Sequence, residues 1–147
     1  MATSIRRPKQ HEEMMKQLCQ EKNRIFATYK DAMVFAACLG FQQGRRVSFE
    51  KTAEPISREI FRGKFDEAVF QCIGLVETND PTIMGISGEE ERTRLFEEYA
   101  CGGLDILNAE VFCAAGSWDQ LLLNLVVKEA KAKESVLDDI TNSFLQN

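Results

Sequence analysis

Apolar positions repeat at helical spacing almost from end to end of the chain. In residues 9–24 and just beyond, Met14, Met15, Leu18 and Ile25 recur at three-, four- and seven-residue offsets, one stripe of an amphipathic helix. Thr28 can cap a second helix, with Asp31 placed for the positive end of its dipole. Residues 32–39 of that helix are apolar on nearly every side, which predicts a central buried helix; Gly40 and Gly44 suit its C-terminal turn. Residues 44–50 alternate polar and apolar side chains and read as a short strand or an extended loop. Glu54-Pro55 keeps the chain extended, Ser57 can cap a short turn through Phe61, and Gly63 breaks that turn. A third helix is predicted over residues 65–78, with Phe65, Val69, Cys72, Ile73 and Val76 as its apolar stripe and Asn79-Asp80-Pro81 as its stop. Ser87 and Glu90 form a capping-box pair opening a fourth helix over residues 89–107, which buries Leu95, Phe96, Tyr99, Gly103 and Leu107. Gly102-Gly103 inside it predicts a kink or a close helix contact, because glycine there costs about 1 kcal/mol against alanine. Ser117 and Gln120 repeat the capping signal for a last helix through residues 121–127. After Lys133 only a weak apolar spacing continues, at Val136, Ile140 and Phe144.

These elements predict an all-α fold, one compact domain of five to six helices with a short extended segment near residues 45–50. The chain divides into a basic N-terminal arm (residues 1–8), a helical domain (9–133) and a C-terminal tail (134–147), either a helical extension or partly disordered. A length of 147 residues supports one core without staples, and 44% apolar with 28% charged residues excludes wholesale disorder. No run approaches the 18 apolar residues of a membrane span, and the first residues are too polar for a signal peptide. The expectation is a cytoplasmic protein with no membrane contact.

Net charge is −5, but it is unevenly placed. Residues 1–64 hold 13 Lys and Arg against 7 Asp and Glu, a net +6; residues 65–147 hold 5 against 16, a net −11. The basic side chains cluster at Arg6, Arg7 and Lys9 before the first helix and at Arg45 and Arg46 beside Gly44, with Lys51, Arg58, Arg62 and Lys64 following. Arginine forks grip phosphate in pairs, so a basic arm with a basic turn suits a DNA backbone. The competing reading pairs these charges with the protein's own acidic half.

The case for catalysis is thin. The single His11 falls on the polar side of the first helix, where a solvated surface histidine is expected. Phosphate-binding glycine loops and calcium loops are missing, and the acidic clusters at residues 89–91, 97–98 and 138–139 fit helix dipoles and exposed pairs. Five cysteines, with no C-x-x-C pair and one histidine, do not make a common zinc set; most fall in apolar runs such as Phe35-Ala-Ala-Cys38 and Phe70-Gln-Cys72 and are expected to pack as small hydrophobes. No metal and no cofactor are therefore expected. A concealed hydrolase would instead gather Glu89, Glu97, Asp105 and Glu110 around one pocket.

Longer runs of residues carry a family resemblance. Ile5-Arg-Arg-Pro-Lys9, Tyr29-Lys-Asp31, Val34-Phe-Ala-Ala37, Leu39-Gly-Phe41, Gly44-Arg-Arg-Val47, Glu54-Pro-Ile56, Phe96-Glu-Glu-Tyr-Ala100 and Gly102-Gly-Leu104, in this order, resemble DNA phosphorothioation-associated protein 4, the Dnd system-associated protein 4 family. The resemblance spans residues 5–127 and does not extend to the tail. It implies a non-enzymatic accessory of bacterial DNA phosphorothioation, restriction-modification and antiviral defence, with other Dnd-type proteins as partners. The family's pattern includes the Gly44-Arg45-Arg46 turn. Arg45 and Arg46 are thus the first candidates for contact with duplex DNA, joined by Arg6, Arg7, Lys9 and Lys51. The alternative is a protein-only adaptor or self-assembling subunit, a homo-oligomer included, using the tail and the acidic half.

Overall fold

The computed structural model describes residues 3–20 and 22–145; the first two residues of the basic arm and the last two of the tail lie outside them, as does the side chain of Val136. The architecture is all-α. Five helices, α1 (Glu12–Gln20), α2 (Tyr29–Gln42), α3 (Lys64–Thr78), α4 (Glu89–Leu107) and α5 (Trp118–Leu145), carry the described residues, joined by loops, short 3-10 turns and, after α4, a π-helical turn over Asn108–Phe112. The one sheet among them is a two-residue antiparallel pair, β1 (Ser4–Ile5) with β2 (Ile56–Ser57), registered Ile5 to Ile56.

α2 and α4 form the centre of the packing. α2 begins as its sequence predicts, with the Thr28 hydroxyl accepting from the Asp31 amide at 3.2 Å. Its Ala32, Met33, Ala36 and Ala37 are buried, small enough to bring the two backbones together. The glycines of α4 complete that contact: a Cβ on Gly103 would lie 1.7 Å from the Ala36 carbonyl oxygen, and one on Gly102 would lie 1.9 Å from that of Arg45. Close approach is the reason for Gly102-Gly103. On the other side of α4, Phe96 stacks on Phe70 of α3 at 4.1 Å between ring centroids, with Phe61 edge-on to both.

Some boundaries differ from the sequence pattern, and others settle the alternatives it left open. The first helix is shorter, with a 3-10 turn over Lys9–His11 and the α-helix closing at Gln20; Ile25 instead donates its amide to the Leu18 carbonyl from the following loop. Residues 45–50 form an extended loop, and strand pairing falls to β1 and β2 instead. α3 ends because Asn79 takes the left-handed conformation (φ 52°) and returns its amide to Leu75, a C-cap that asparagine tolerates. α4 opens at Glu89 without the Ser87 capping box; Ser87 lies within a 3-10 lead-in, and three glutamates in the first turn answer the dipole. α5 continues as helix through the tail to Leu145.

Candidate interaction surfaces

The basic arm and the loop after α2 run antiparallel to each other. Beyond the β1–β2 pair, Pro8 bridges Thr52, the Lys9 amide donates to the Lys51 carbonyl at 2.9 Å, and the Ala53 amide donates to that of Arg7. This ladder lies against α4: Val47 donates its amide to the Glu98 carbonyl at 3.0 Å, and the positive φ of Gly44 (67°) turns the loop towards it. Arg6, Arg7, Lys9 and Lys51 thus lie along one ladder, and Arg45 and Arg46 on the start of the loop that forms its second strand.

Their charges are largely answered from α4. Glu97 takes both the Arg6 amide (2.6 Å) and the Arg6 Nε (3.0 Å), and Arg6 stacks over Phe49. Burial outweighs this pairing and holds the Glu97 carboxyl above the usual range. Arg46 bridges Glu98 at 2.6 Å and Glu77 at 3.0 Å, which raises its own pKa. Arg45 meets Asp105 at 3.2 Å but stays 54% exposed along its side chain. Lys9 and Lys51 are exposed and have no ion-pair partner among the described residues. Arg7 departs from the group: it is 4% exposed, stacked on Tyr29 and bonded to the Glu54 carbonyl, so it serves the interior.

His11 is buried rather than solvated. Its Nε2 lies 2.5 Å from Asp105 Oδ1, and the Cys101 thiol, one helical turn before Asp105, is fully buried beside them. Burial, reinforced by the Asp105 charge, pushes that thiol up to about 12. Cys101 is therefore a neutral thiol near pH 7, the opposite of an activated nucleophile.

The apolar surface lies elsewhere. In α3 the inward side chains are Phe70 and Ile73 with Gly74, so much of the predicted stripe points outward: Phe65 is 69% and Val76 65% exposed, and Cys72 is exposed as well. Phe65, Val69 and Cys72 of α3, Cys38 and Phe41 of α2 and Ala132 of α5 line an open groove of about 650 Å³. Cys38 and Cys72 accordingly border this groove instead of packing in the core, while Cys19 and Cys101 are buried. α5 is anchored by Leu125 and by Gln42 and Gln43 donating to Glu129, then carries Leu137, Ile140, Phe144 and Leu145 past the groove, all exposed.

Compared with known proteins, residues 4–143 match the sequence profile of DNA sulphur modification system-associated protein 4. The chain belongs to that family. No curated protein and no solved structure matches it. The family match runs past residue 127 and takes in nearly all of α5, so the likeness to the family extends into the tail.

For this family member, the carboxylates named as a hydrolase signature are separated and individually matched. Glu89, Glu97 and Asp105 are spaced eight residues apart on α4, about 12 Å per step. Glu89 meets Arg62 at 3.1 Å and Arg58 at 3.9 Å, Glu97 meets Arg6, Asp105 meets His11 and Arg45, and Glu110 meets Lys128. Sequence reasoning missed the buried arginines as well. Arg58 is 1% exposed, lies 4.2 Å over the Phe70 ring and 3.0 Å from Glu67, and donates to the Phe61 carbonyl. Arg92 donates to the Ile83 and Gly85 carbonyls and closes the loop ahead of α4. An arginine next to a carboxylate three to nine residues away in the pattern carries no mark that it is internal. No helix among the described residues is long and apolar enough to cross a membrane.

Proposed function

We propose that the chain is a non-enzymatic accessory component of a cytoplasmic DNA sulphur-modification system serving antiviral defence, and that it works by holding another protein of that system on the face shared by α3 and α5. Family membership supplies the setting. The observation that carries the reading is the outward stripe of α3 together with the overhanging α5. Phe65, Val69 and Cys72 on one side of a groove with Val76 beyond them, and Leu137, Ile140 and Phe144 exposed at helical spacing further along α5, are apolar positions of the kind that mark protein contacts. The helix-in-groove mode needs such anchors at three-, four- and seven-residue spacing. The test is retention of co-expressed neighbouring gene products by the tagged full chain. Phe65→Glu with Val76→Glu, both on the surface, should abolish retention while leaving the circular dichroism spectrum and melting curve intact. Undiminished retention would reject the α3 face.

A second reading, contact with duplex DNA, is favoured by the ladder and the loop leading into it, which bring Arg6, Lys9, Arg45, Arg46 and Lys51 together. Exposed Lys9 and Lys51 would supply the charge, with half-exposed Arg45 swinging from Asp105 to a phosphate. Binding should then fall steeply with salt and weaken on Lys9→Glu with Lys51→Glu, as read by fluorescence anisotropy. No binding at low salt rejects this reading and leaves the first one standing.

A further inference from the structure

Where the arm meets α4, four side chains converge on one point. Cys101 Sγ, Asp105 Oδ1 and a His11 ring nitrogen lie within 4.8 Å of one another. Gln10 places its amide nitrogen among them, 3.7 Å from Cys101 Sγ, 3.5 Å from Asp105 Oδ1 and 3.4 Å from His11 Nε2. A histidine–aspartate pair explains two of these residues. It does not explain why a fully buried thiol and a flexible amide face the same spot.

We infer that His11, Cys101 and Asp105, with Gln10 at the fourth position, form a mononuclear site for a borderline divalent transition-metal cation of the zinc type. The donor set of one imidazole nitrogen, one sulfur and one carboxylate oxygen is what such ions take in preference to the all-oxygen sets of calcium and magnesium. A tetrahedral zinc with bonds of about 2.0–2.3 Å holds its donors roughly 3.3–3.6 Å apart, so the cluster already has the right scale. The 2.5 Å separation of His11 and Asp105 must open by about 1 Å. Rotation of the Gln10 amide brings its carbonyl oxygen to the point its nitrogen occupies.

The surroundings fit as well. Cys101 and Asp105 share one face of α4 at four-residue spacing, a rigid base for two of the ligands. Arg45 Nη2 holds Asp105 Oδ2 at 3.2 Å, an outer partner that orients the carboxylate and leaves Oδ1 for the ion. Gln10 is exposed, which gives the ion a way in from solvent. Charge balances too: the +2 of the ion meets one thiolate, formed as the Cys101 proton leaves to solvent, and the Asp105 carboxylate, with His11 coordinating as a neutral imidazole that keeps its proton on the other ring nitrogen. Bound there, the metal ties the Lys9–His11 turn to α4 and fixes the start of the ladder, a structural clamp with no role in turnover.

The full chain, freed of metal by chelator dialysis, is titrated with Co²⁺ alone and then with Zn²⁺. One equivalent of cobalt should give four-coordinate visible bands and a near-ultraviolet thiolate charge-transfer band, both bleached by zinc. Cys101→Ser should lose the charge-transfer band, and Asp105→Asn should weaken binding at least about tenfold. Cys38→Ser with Cys72→Ser, at the exposed groove, should change neither. Where a site variant does not fold, zinc-edge absorption of the wild-type chain decides, with one sulfur expected at about 2.3 Å. A folded chain that takes up no stoichiometric metal, a charge-transfer band that survives Cys101→Ser or vanishes with the groove cysteines, or a zinc edge without sulfur overturns the site.

Discussion

Along the seam where the arm–loop ladder meets α4, part-exposed arginines (Arg6, Arg45 and Arg46) lie over largely buried carboxylates beside glycine-close backbones, whereas the face of α3 and α5 turns phenylalanine, valine and leucine towards solvent. The core between the helices is apolar, with Met33, Phe96, Leu104 and Leu107 buried, but at Gly103 there is no room for a side chain, since α4 lies against the Ala36 carbonyl. Long side chains approach from the rim, and arginine suits that position because its stem packs on rings while its fork reaches a carboxylate, as Arg6 does on Phe49 and Glu97. The α3–α5 face has room and no internal partner. A net charge split of +6 and −11 along the sequence is thus first a device for assembling the fold.

The sharpest way to break this contrast is at the seam. Gly103→Val places side-chain atoms where the Ala36 carbonyl stands, and it should cost about 5 kcal/mol or more in chemical denaturation, the range of diagnostic core disruptions. A stability near wild type would mean that the helices can separate without loss. Next in size, Arg58→Ala leaves Glu67 and Glu89 without their buried partner and should cost about 3–5 kcal/mol, measured the same way. On the other face the expected effect on stability nearly vanishes. Phe65→Ser with Val76→Ser should stay within about 0.5 kcal/mol of wild type per site, while binding of a hydrophobic dye drops; a large loss of stability would show that the face belongs to the core.

The smallest effect is titrational. Burial, and then its bond to Glu77 (2.6 Å), push Tyr99 from the ordinary 10.0 up to about 12. A phenol whose pKa is raised by folding contributes stability that is fully present below pH 10 and is lost as pH climbs towards 12. With Tyr29→Phe removing the other tyrosine, ultraviolet difference absorbance reads Tyr99 alone. Glu77→Gln should lower its midpoint only part of the way, because burial is the larger cause. A midpoint at 10 in the folded chain would place Tyr99 at the surface, outside the seam.

How much of this was legible beforehand depended on whether the decisive contacts were local. Thr28 with Asp31, the glutamates at the head of α4, the long α4 itself and the close approach at Gly102-Gly103 each announce themselves within a few residues. The family, too, was readable from ordered short runs. What the pattern misjudged was part of the inward face of α3. Of the stripe Phe65, Val69, Cys72, Ile73 and Val76, Ile73 is buried and Val69 packs partly on the core, while Phe65, Cys72 and Val76 face outward because Phe70, stacked on Phe96 and edge-on to Phe61, sets the inward side. His11 was misplaced for a similar reason. Its partner Asp105 lies 94 residues away, so nothing near it in sequence hints that it is buried. The carboxylates that meet Arg6, Arg45 and Arg46 arrive from a helix about 50 to 90 residues on, beyond the reach of local pattern.

The uncovered part of α5 also constrains how the chain can change over time. Leu137, Ile140 and Phe144 share one line only because each residue adds a turn of about 100°. Inserting a single residue just before Leu137 would swing all three aside by that angle, and two or three more residues would largely restore them. Length variation upstream of these side chains is therefore tolerable in steps of a whole turn, and a helix that drifts by one has lost its phase.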